Sequence, residues 1–457
     1  MSKVLLIYPY FKPRRDRSVF RFPPLGLSYI ASTLLAAGHD VHLLDCTFMP
    51  KTEALEQALA SHAEVAGIYC MVTMLEDCQW LARQLRPSTK LMVAGGPLPT
   101  CDPSLFLDDF DVVVRGEGEA TLVELLEAYA SGVDLSTLPG LVFRKKSTVN
   151  GTLQVDDIFT PERPFCQDLD SLPHPARHLL PNDKYIQFGR KKYGYAITTV
   201  MSTRGCPYAC EFCSNVIFGG SYRERSAANV VEEIEQALAL GYDRISFADD
   251  VFTLRKKRLL DVCAEITSRR LSFYWECLAR VDSLDDNSYL EMYRAGCRRV
   301  FFGIESGDDG ILKLMNKKIT VEQARRAVLA AHRAGLQVGA FFILFYPGES
   351  NATVLNTLRF ATSLPLDYVG LTMPYPLPGT ALYERVKSQI KRQWRPAESI
   401  FGSHVLIYNS QFSEAKMWFG IMKGHLQFAI RRRLGRLAPA PLRLFEKLTD
   451  WLFVTIK

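Results

Sequence analysis

Two stretches of this 457-residue chain alternate short apolar runs with amphipathic helical patterns, and that alternation restricts the fold more than any other feature. Between residue 1 and about 130 the runs are Val4–Tyr8, Asp40–Leu44, Val65–Val72, Lys90–Ala94 and Val112–Val114, with helical segments such as Leu27–Ala37 and Asp77–Leu85 between them. This order predicts a doubly wound parallel sheet with helices on both faces. From Tyr195 to about Tyr383 a second series follows: Ala196–Ser202, Arg244–Ala248, Phe273–Leu278, Arg299–Ile304, Gln337–Phe345 and Tyr368–Pro374, accompanied by helices such as Val230–Leu240 and Val321–Ala334. Six such units make a partial (β/α)6 barrel, whose functional groups belong at the carboxyl-terminal rim.

The series divide the chain into a first α/β domain at 1–134, a connector at 135–194, the barrel at 195–383 and a helical carboxyl-terminal cap at 384–457. The connector is rich in proline and turn formers, from Phe159–Pro164 through Leu169–Pro175, and its helices should be short. The cap carries Trp394, Trp418, Phe419, Phe428 and Trp451 and is expected to shape a substrate pocket. With 48% hydrophobic residues there is ample material for these cores. Eleven cysteines without a regular framework of pairs point to a reducing, cytoplasmic setting. Met1-Ser2-Lys3 leads straight into an apolar run too short for a signal peptide, and no segment reaches the eighteen apolar residues of a membrane span.

Most of the net charge of +6 lies from Arg431 onward, where seven Lys and Arg face only Glu446 and Asp450. The rest is nearly neutral, which argues against a nucleic-acid-binding surface. The default reading of the tail is a solvated basic face over an inward apolar face; Arg431-Arg432-Arg433-Leu434-Gly435-Arg436-Leu437 with Leu444, Phe445, Leu448 and Trp451–Val454 also allows peripheral contact with a membrane surface.

Within the barrel's first loop, Gly205-Cys206-Pro207-Tyr208-Ala209-Cys210-Glu211-Phe212-Cys213 places three cysteines at C-x3-C-x2-C spacing. Three thiolates on one loop suit an iron–sulfur cube that keeps one iron free of protein ligands. A tetrahedral zinc site needs a fourth close ligand, and the next histidine along the chain is His332.

This segment resembles the signature of the radical S-adenosylmethionine (SAM) superfamily. The resemblance implies that Cys206, Cys210 and Cys213 hold a [4Fe-4S] cluster whose open iron is chelated by SAM, with Phe212 near the adenine. It extends along the rim. Asp249 and Asp250, after the second strand, stand where the family binds the SAM ammonium, although either also serves as a helix N-cap. Arg280 is a candidate for the SAM carboxylate, Glu305 and Ser306 for its ribose or methionyl group, and Phe345–Glu349 resembles a turn near the adenine.

The strand-end loops of the first domain carry Pro23–Gly26, Thr73, Gly95-Gly96-Pro97 with Thr100, and Gly116-Glu117-Gly118-Glu119. Together they resemble the Rossmann-like cobalamin-binding domain that precedes the barrel in one branch of these enzymes. The Asp-x-His-x-x-Gly motif that supplies a cobalt-ligating histidine elsewhere is absent; His39 and His42, which flank a strand, read as surface or packing residues, and His174 and His178 as structural.

The resemblance implies an oxygen-sensitive enzyme that uses [4Fe-4S], SAM and cobalamin, takes electrons from a flavodoxin or ferredoxin and acts on a small-molecule or lipid-like substrate. Its favoured chemistry is methylation of an unactivated carbon through a 5'-deoxyadenosyl radical and methylcobalamin. The runner-up is ring closure or rearrangement resembling the anaerobic porphyrin cyclase. A tRNA methylthiotransferase fits less well, because Cys46, Cys70, Cys78 and Cys101 are scattered and the tail reads helical. An inactive sensor conflicts with the intact triad.

Overall fold

The computed structural model describes residues 2–11, 21–149, 152–214, 217–390, 408–434 and 439–456. Its first sheet contains β1 (Lys3–Tyr8), β2 (Asp40–Asp45), β3 (Val65–Tyr69), β4 (Leu91–Gly95), β5 (Val112–Val114), β6 (Leu141–Val149) and β7 (Thr152–Phe159) in the order β2-β1-β3-β4-β5-β6-β7. The first five run parallel. Their residues are almost uniformly apolar because both faces are buried under helices, as β3, Val-Ala-Gly-Ile-Tyr, illustrates. The chain order reverses direction between β1 and β3, and a crevice opens there beyond the carboxyl ends of the strands.

The connector differs from the sequence expectation. Residues 141–159 form an antiparallel hairpin, β6 and β7, that extends the first sheet past β5. This segment therefore belongs to the first domain, and the irregular connector begins only after Phe159. Its polar residues fit an edge, where the outer strand has no neighbour and charged side chains deter pairing with another chain.

The second sheet contains β8 (Ile197–Val200), β11 (Arg244–Phe247), β12 (Tyr274–Ala279), β13 (Cys297–Glu305), β14 (Gln337–Ile343) and β15 (Tyr368–Thr372), all parallel, in the order β15-β14-β13-β12-β11-β8. It is the six-stranded open barrel the spacing predicts. A short ladder, β9 (Thr203–Arg204) against β10 (Arg223–Glu224), brackets the cysteine loop.

One core fills the barrel and reaches into the tail through Met417, Ile421 and Phe453. The helix Glu414–Leu434 lies close on the barrel because Gly420 and Gly424 face it; a Cβ at either would run into Phe345 or Leu371. The helix Pro439–Thr455 packs beside it. Gly435, Arg436 and Leu437 of the basic run lie outside the described residues, as does Trp394.

The domains meet through buried charge. Glu233, fully buried, accepts from Arg177 of the connector, Arg225 of the barrel and the Tyr29 hydroxyl of the first domain. Tyr185 of the connector donates to Asp45 at the end of β2, 2.7 Å away.

Candidate functional site

The crevice of the first sheet is a cavity of about 360 Å³. Tyr8, Tyr69 and Gly95-Gly96-Pro97 supply one wall from the strand ends, and Pro23–Ile30 supplies another. Met201, Arg204, Ile217 and Phe218 close it from the barrel side. Those four residues flank the cysteine loop in sequence, so the strand-end pocket and that loop share a wall.

Several of the predicted cobalamin contacts do line this cavity: Gly95, Gly96, Pro97, Gly116, Glu117, Gly118 and Glu119. At Gly95 a Cβ would meet nothing within 4 Å, so the missing side chain leaves open space. Gly96 has φ +115°, and its Cβ would sit 2.8 Å from the Cys70 carbonyl, so the turn itself demands glycine there. Thr73 is exposed and stands outside the cavity wall. The Thr100 hydroxyl is taken up by the Gly96 carbonyl (2.9 Å) and the Gly116 N–H (3.0 Å), pinning two strand-end loops together.

Glu117 and Glu119 require a correction as ligand contacts. The Glu117 carboxylate accepts from Arg204 (3.0 Å), Arg223 (2.7 Å) and the Cys166 N–H (2.8 Å), while Glu119 accepts from Arg204 (2.6 Å). All four side chains are buried. A buried carboxylate must be paired, and these two are paired to the strands bracketing the cysteine loop rather than held ready for a ligand.

That loop is strapped on every side. The Cys206 N–H donates to the Gly219 carbonyl (3.3 Å), the Glu211 N–H to the Met315 carbonyl (3.0 Å) and the Asn316 amide to the Ala209 carbonyl (2.6 Å). Gly205, at φ +82°, lies so close to Ser221 that a Cβ would run into its carbonyl. The Glu211 side chain accepts from the Tyr346 hydroxyl (2.9 Å) and Arg385 (2.6 Å). Cys206 and Cys213 are both shifted upward as thiols, first by burial; each also feels neighbouring triad cysteines and Asp250. Among the described residues no three His, Cys, Asp or Glu side chains converge closely enough for a single metal ion. A four-iron cube makes no such demand, because it spreads three thiolates over three different irons. Two cations stand by to balance a thiolate-ligated cluster: Arg280 and Lys317 are both buried, and both are held up as cations in part by the nearby Cys210. Lys317 lies 5.7 Å over the Phe212 ring.

The rim residues separate into acceptors and fasteners. Asp249 is fully buried, and its carboxylate takes the Ser202 N–H (2.6 Å), the Thr203 N–H (3.0 Å) and the Ser202 hydroxyl, fixing the chain as it leaves β8. Its acceptor capacity is therefore engaged by backbone, contrary to the reading of it as an ammonium acceptor. Asp250 differs: its side chain is exposed, and among the described residues no Lys or Arg pairs with it. Desolvation by surrounding protein and then the adjacent Asp249 push its carboxyl upward, while the Gly205 N–H draws it down. A cation binding there relieves that strain.

Arg280 gives its fork to Asp282 (2.9 and 3.0 Å), donates to the Lys317 carbonyl (3.1 Å) and lies 3.5 Å over the Tyr208 ring of the cysteine loop. Ser306 shares its hydroxyl with Thr357 (3.1 Å) and the Asp308 N–H (3.2 Å), so it ties β13 to the helix Asn351–Ser363 instead of facing a ligand. Glu305 accepts from Lys317 at 3.0 Å and holds φ +74°, and Phe345 after the neighbouring strand holds φ +66°. Two non-glycine residues in the left-handed region at adjacent strand ends cost of order 1–3 kcal/mol each, a strain that clusters at functional rims. Sequence reasoning missed Lys317, Tyr208, Asp282 and the Glu211–Tyr346–Arg385 link. Nothing in local pattern singles them out; a buried acid such as Glu117, however, calls for donors from elsewhere in the chain, and Arg204 directly before the Gly205-Cys206 motif was the nearest clue.

Residues 200–361 match the Radical SAM superfamily, and residues 12–126 match the B12 binding domain. The chain belongs to the cobalamin-binding branch of the radical SAM enzymes, whose cofactors are a [4Fe-4S] cluster, SAM and cobalamin. Among its relatives is the uncharacterized methyltransferase PH0819 of Pyrococcus horikoshii, 34% identical over 84% of this chain and 83% of that one. The anaerobic magnesium-protoporphyrin IX monomethyl ester cyclase of Rubrivivax gelatinosus is 27% identical over 85% of this chain and 71% of that protein. In fold the chain is similar to the radical SAM methyltransferase TsrM from Kitasatospora setae, with a TM-score of 0.70, 21% identity, and coverage of 85% of this chain and 75% of that one.

Proposed function

We propose that this enzyme methylates an unactivated carbon of a small molecule. The observation that carries the reading is the shared wall: the same segment that leads into and out of the cysteine loop closes the strand-end cavity of the first domain. Reactive centres held on either side of one wall suit transfer between them better than independent use. When bound, the cluster supplies an electron to SAM and the corrinoid carries a methyl group.

In this reading Cys206, Cys210 and Cys213 bind the cluster, and Lys317 and Arg280 offset its negative charge. Asp250 accepts the SAM ammonium, Phe212 lies against the adenine, and Gly95 and Gly96 let backbone approach the corrinoid. No histidine lines the cavity among the described residues. The reductant is a flavodoxin or ferredoxin and the setting cytosolic, consistent with eleven free cysteines. The nearly neutral charge outside the tail argues against a nucleic-acid partner.

Anaerobically reconstituted enzyme given methyl-labelled SAM and substrate should form S-adenosylhomocysteine as well as 5'-deoxyadenosine, with label in a heavier product. A product of unchanged carbon count formed with 5'-deoxyadenosine alone would instead assign cyclase chemistry, the reading favoured by the similarity to the porphyrin cyclases.

The two acids should part on mutation. Asp250→Asn removes a charge-assisted bond and is expected to weaken SAM binding about tenfold or more with the fold intact, measured by calorimetry. Asp249→Asn should lower the melting temperature instead, since it loosens three bonds at the exit of β8; equal loss of SAM affinity in both would undo the distinction. Gly95→Leu should reduce corrinoid retention about tenfold without a change in melting temperature, because the side chain projects into open cavity. Retention equal to wild type would place the corrinoid elsewhere.

A further inference from the structure

We propose that the outer face of the carboxyl-terminal helical pair is a docking surface for an anionic lipid bilayer. The sequence alone favours an apolar face turned inward, and the structure reverses much of that. Between the helices Glu414–Leu434 and Pro439–Thr455 lie polar groups: Lys423 against Asp450 at 2.6 Å, and Gln427 donating to Thr449 at 3.4 Å. Outward stand Met422 and Leu426, one turn apart and 52% and 50% exposed. On the second helix Leu444, Leu448 and Trp451, at i, i+4 and i+7, are 70%, 55% and 63% exposed. A single exposed leucine needs no explanation, but two aligned apolar rows on adjacent helices do.

Charge selects the occupant. Arg431, Arg432 and Arg433 occupy the last turn of the first helix, and Arg433, eleven residues beyond Met422, continues the same row. Lys447 is exposed between Leu444 and Leu448. The acids of the second helix are turned to partners: Asp450 to Lys423 and Arg359 (2.6 Å), Glu446 toward Arg431 (4.0 Å). The exposed carboxylate of Glu414 sits at the far end of its helix. An apolar face bordered by exposed Arg433 and Lys447, which meet no carboxylate among the described residues, matches a headgroup layer of negative charge, with apolar side chains entering the acyl boundary. A second copy docking through the same face brings the same cationic border against it. Among the described residues no helix is long and apolar enough to cross a membrane, so the contact lies on the surface.

The test uses full-length holoprotein and sedimentation with vesicles of phosphatidylglycerol and phosphatidylcholine, against vesicles of phosphatidylcholine alone. Wild type should bind the anionic vesicles at least about tenfold better, and added salt should weaken the binding. The surface double variant Leu444→Glu/Leu448→Glu should lose about tenfold while its melting temperature and SAM cleavage stay unchanged, and Arg433→Glu/Lys447→Glu should abolish the preference for anionic lipid. Three results overturn the proposal: no vesicle binding by wild type, binding that survives both variants, or a stable wild-type dimer that Leu444→Glu/Leu448→Glu converts to monomer.

Discussion

Alanine at any one of Cys206, Cys210 or Cys213 is expected to reduce 5'-deoxyadenosine formation to background. In the proposed site each thiolate would hold one corner of the cluster, and the loop offers no replacement: the triad is the only group of cysteines in the sequence between β8 and β11, and the flanking backbone is fixed by Gly205, Gly219 and Met315. Anaerobic reconstitution of wild type should give about four iron and four sulfide per chain. The single variants should hold less and lose the visible absorption of an intact cluster. Cys166→Ala is the matched control, because Cys166 contributes its backbone N–H to Glu117 and that bond survives the change. Normal SAM cleavage by the triple alanine variant would end the assignment of the triad to cluster binding.

The second large effect is on stability. Glu233→Gln leaves Arg177 and Arg225 buried around a neutral amide, in a place where each arginine is about 4% exposed. Removing one partner of a buried ion pair typically costs about 3–5 kcal/mol, because the remaining charge has no water to return to. Urea denaturation should report a loss in that range. The pH dependence carries a sign that a packing defect does not reproduce. Burial alone would push the Glu233 carboxyl up, yet Arg177 and Arg225 outweigh it and hold the group below its ordinary value of 4.5. A carboxyl depressed in the folded state contributes its full stabilisation above the unfolded value and loses it as pH falls through the folded one. Wild type should therefore approach the variant's stability only in strong acid. A difference between the two that stayed constant from neutral pH downward would show that the carboxylate's charge is immaterial.

The parallel strands of both sheets were legible in the sequence, those of the first domain as nearly continuous apolar runs and those of the barrel as short apolar-rich runs recurring between helical patterns, and their ends fall within a residue or two of Val4–Tyr8, Val112–Val114 and Gln337–Phe345. The hairpin at 141–159 was not: β6 passes from Leu141-Val142-Phe143 straight into Arg144-Lys145-Lys146, β7 carries Asp156-Asp157, and the prolines that follow from Pro161 make the whole region look like connector. At the site, three cysteines in eight residues announce themselves locally. Asp249 and Asp250 do not, since consecutive carboxylates at a strand end point opposite ways and only the packing against Ser202 decides which one turns inward. Glu117 and Glu119 were found as a loop but misassigned, because their partners Arg204 and Arg223 lie 85 to 106 residues away and no local pattern encodes that pairing.

Those four residues also bear on modularity. A cofactor domain followed by a catalytic domain looks like two parts that recombination could exchange freely. Cut after Phe159, however, the amino-terminal piece would carry two carboxylates shaped for burial with no guanidinium to receive, and the remainder would carry Arg204 and Arg223 with nothing to neutralise them. Each fragment would also lose a wall of the cavity. The two halves are thus heritable as one unit: a graft from a relative succeeds only if it brings the Glu117–Glu119 loop and the β9–β10 ladder together, and fragments expressed separately should recover their fold only when made in the same cell.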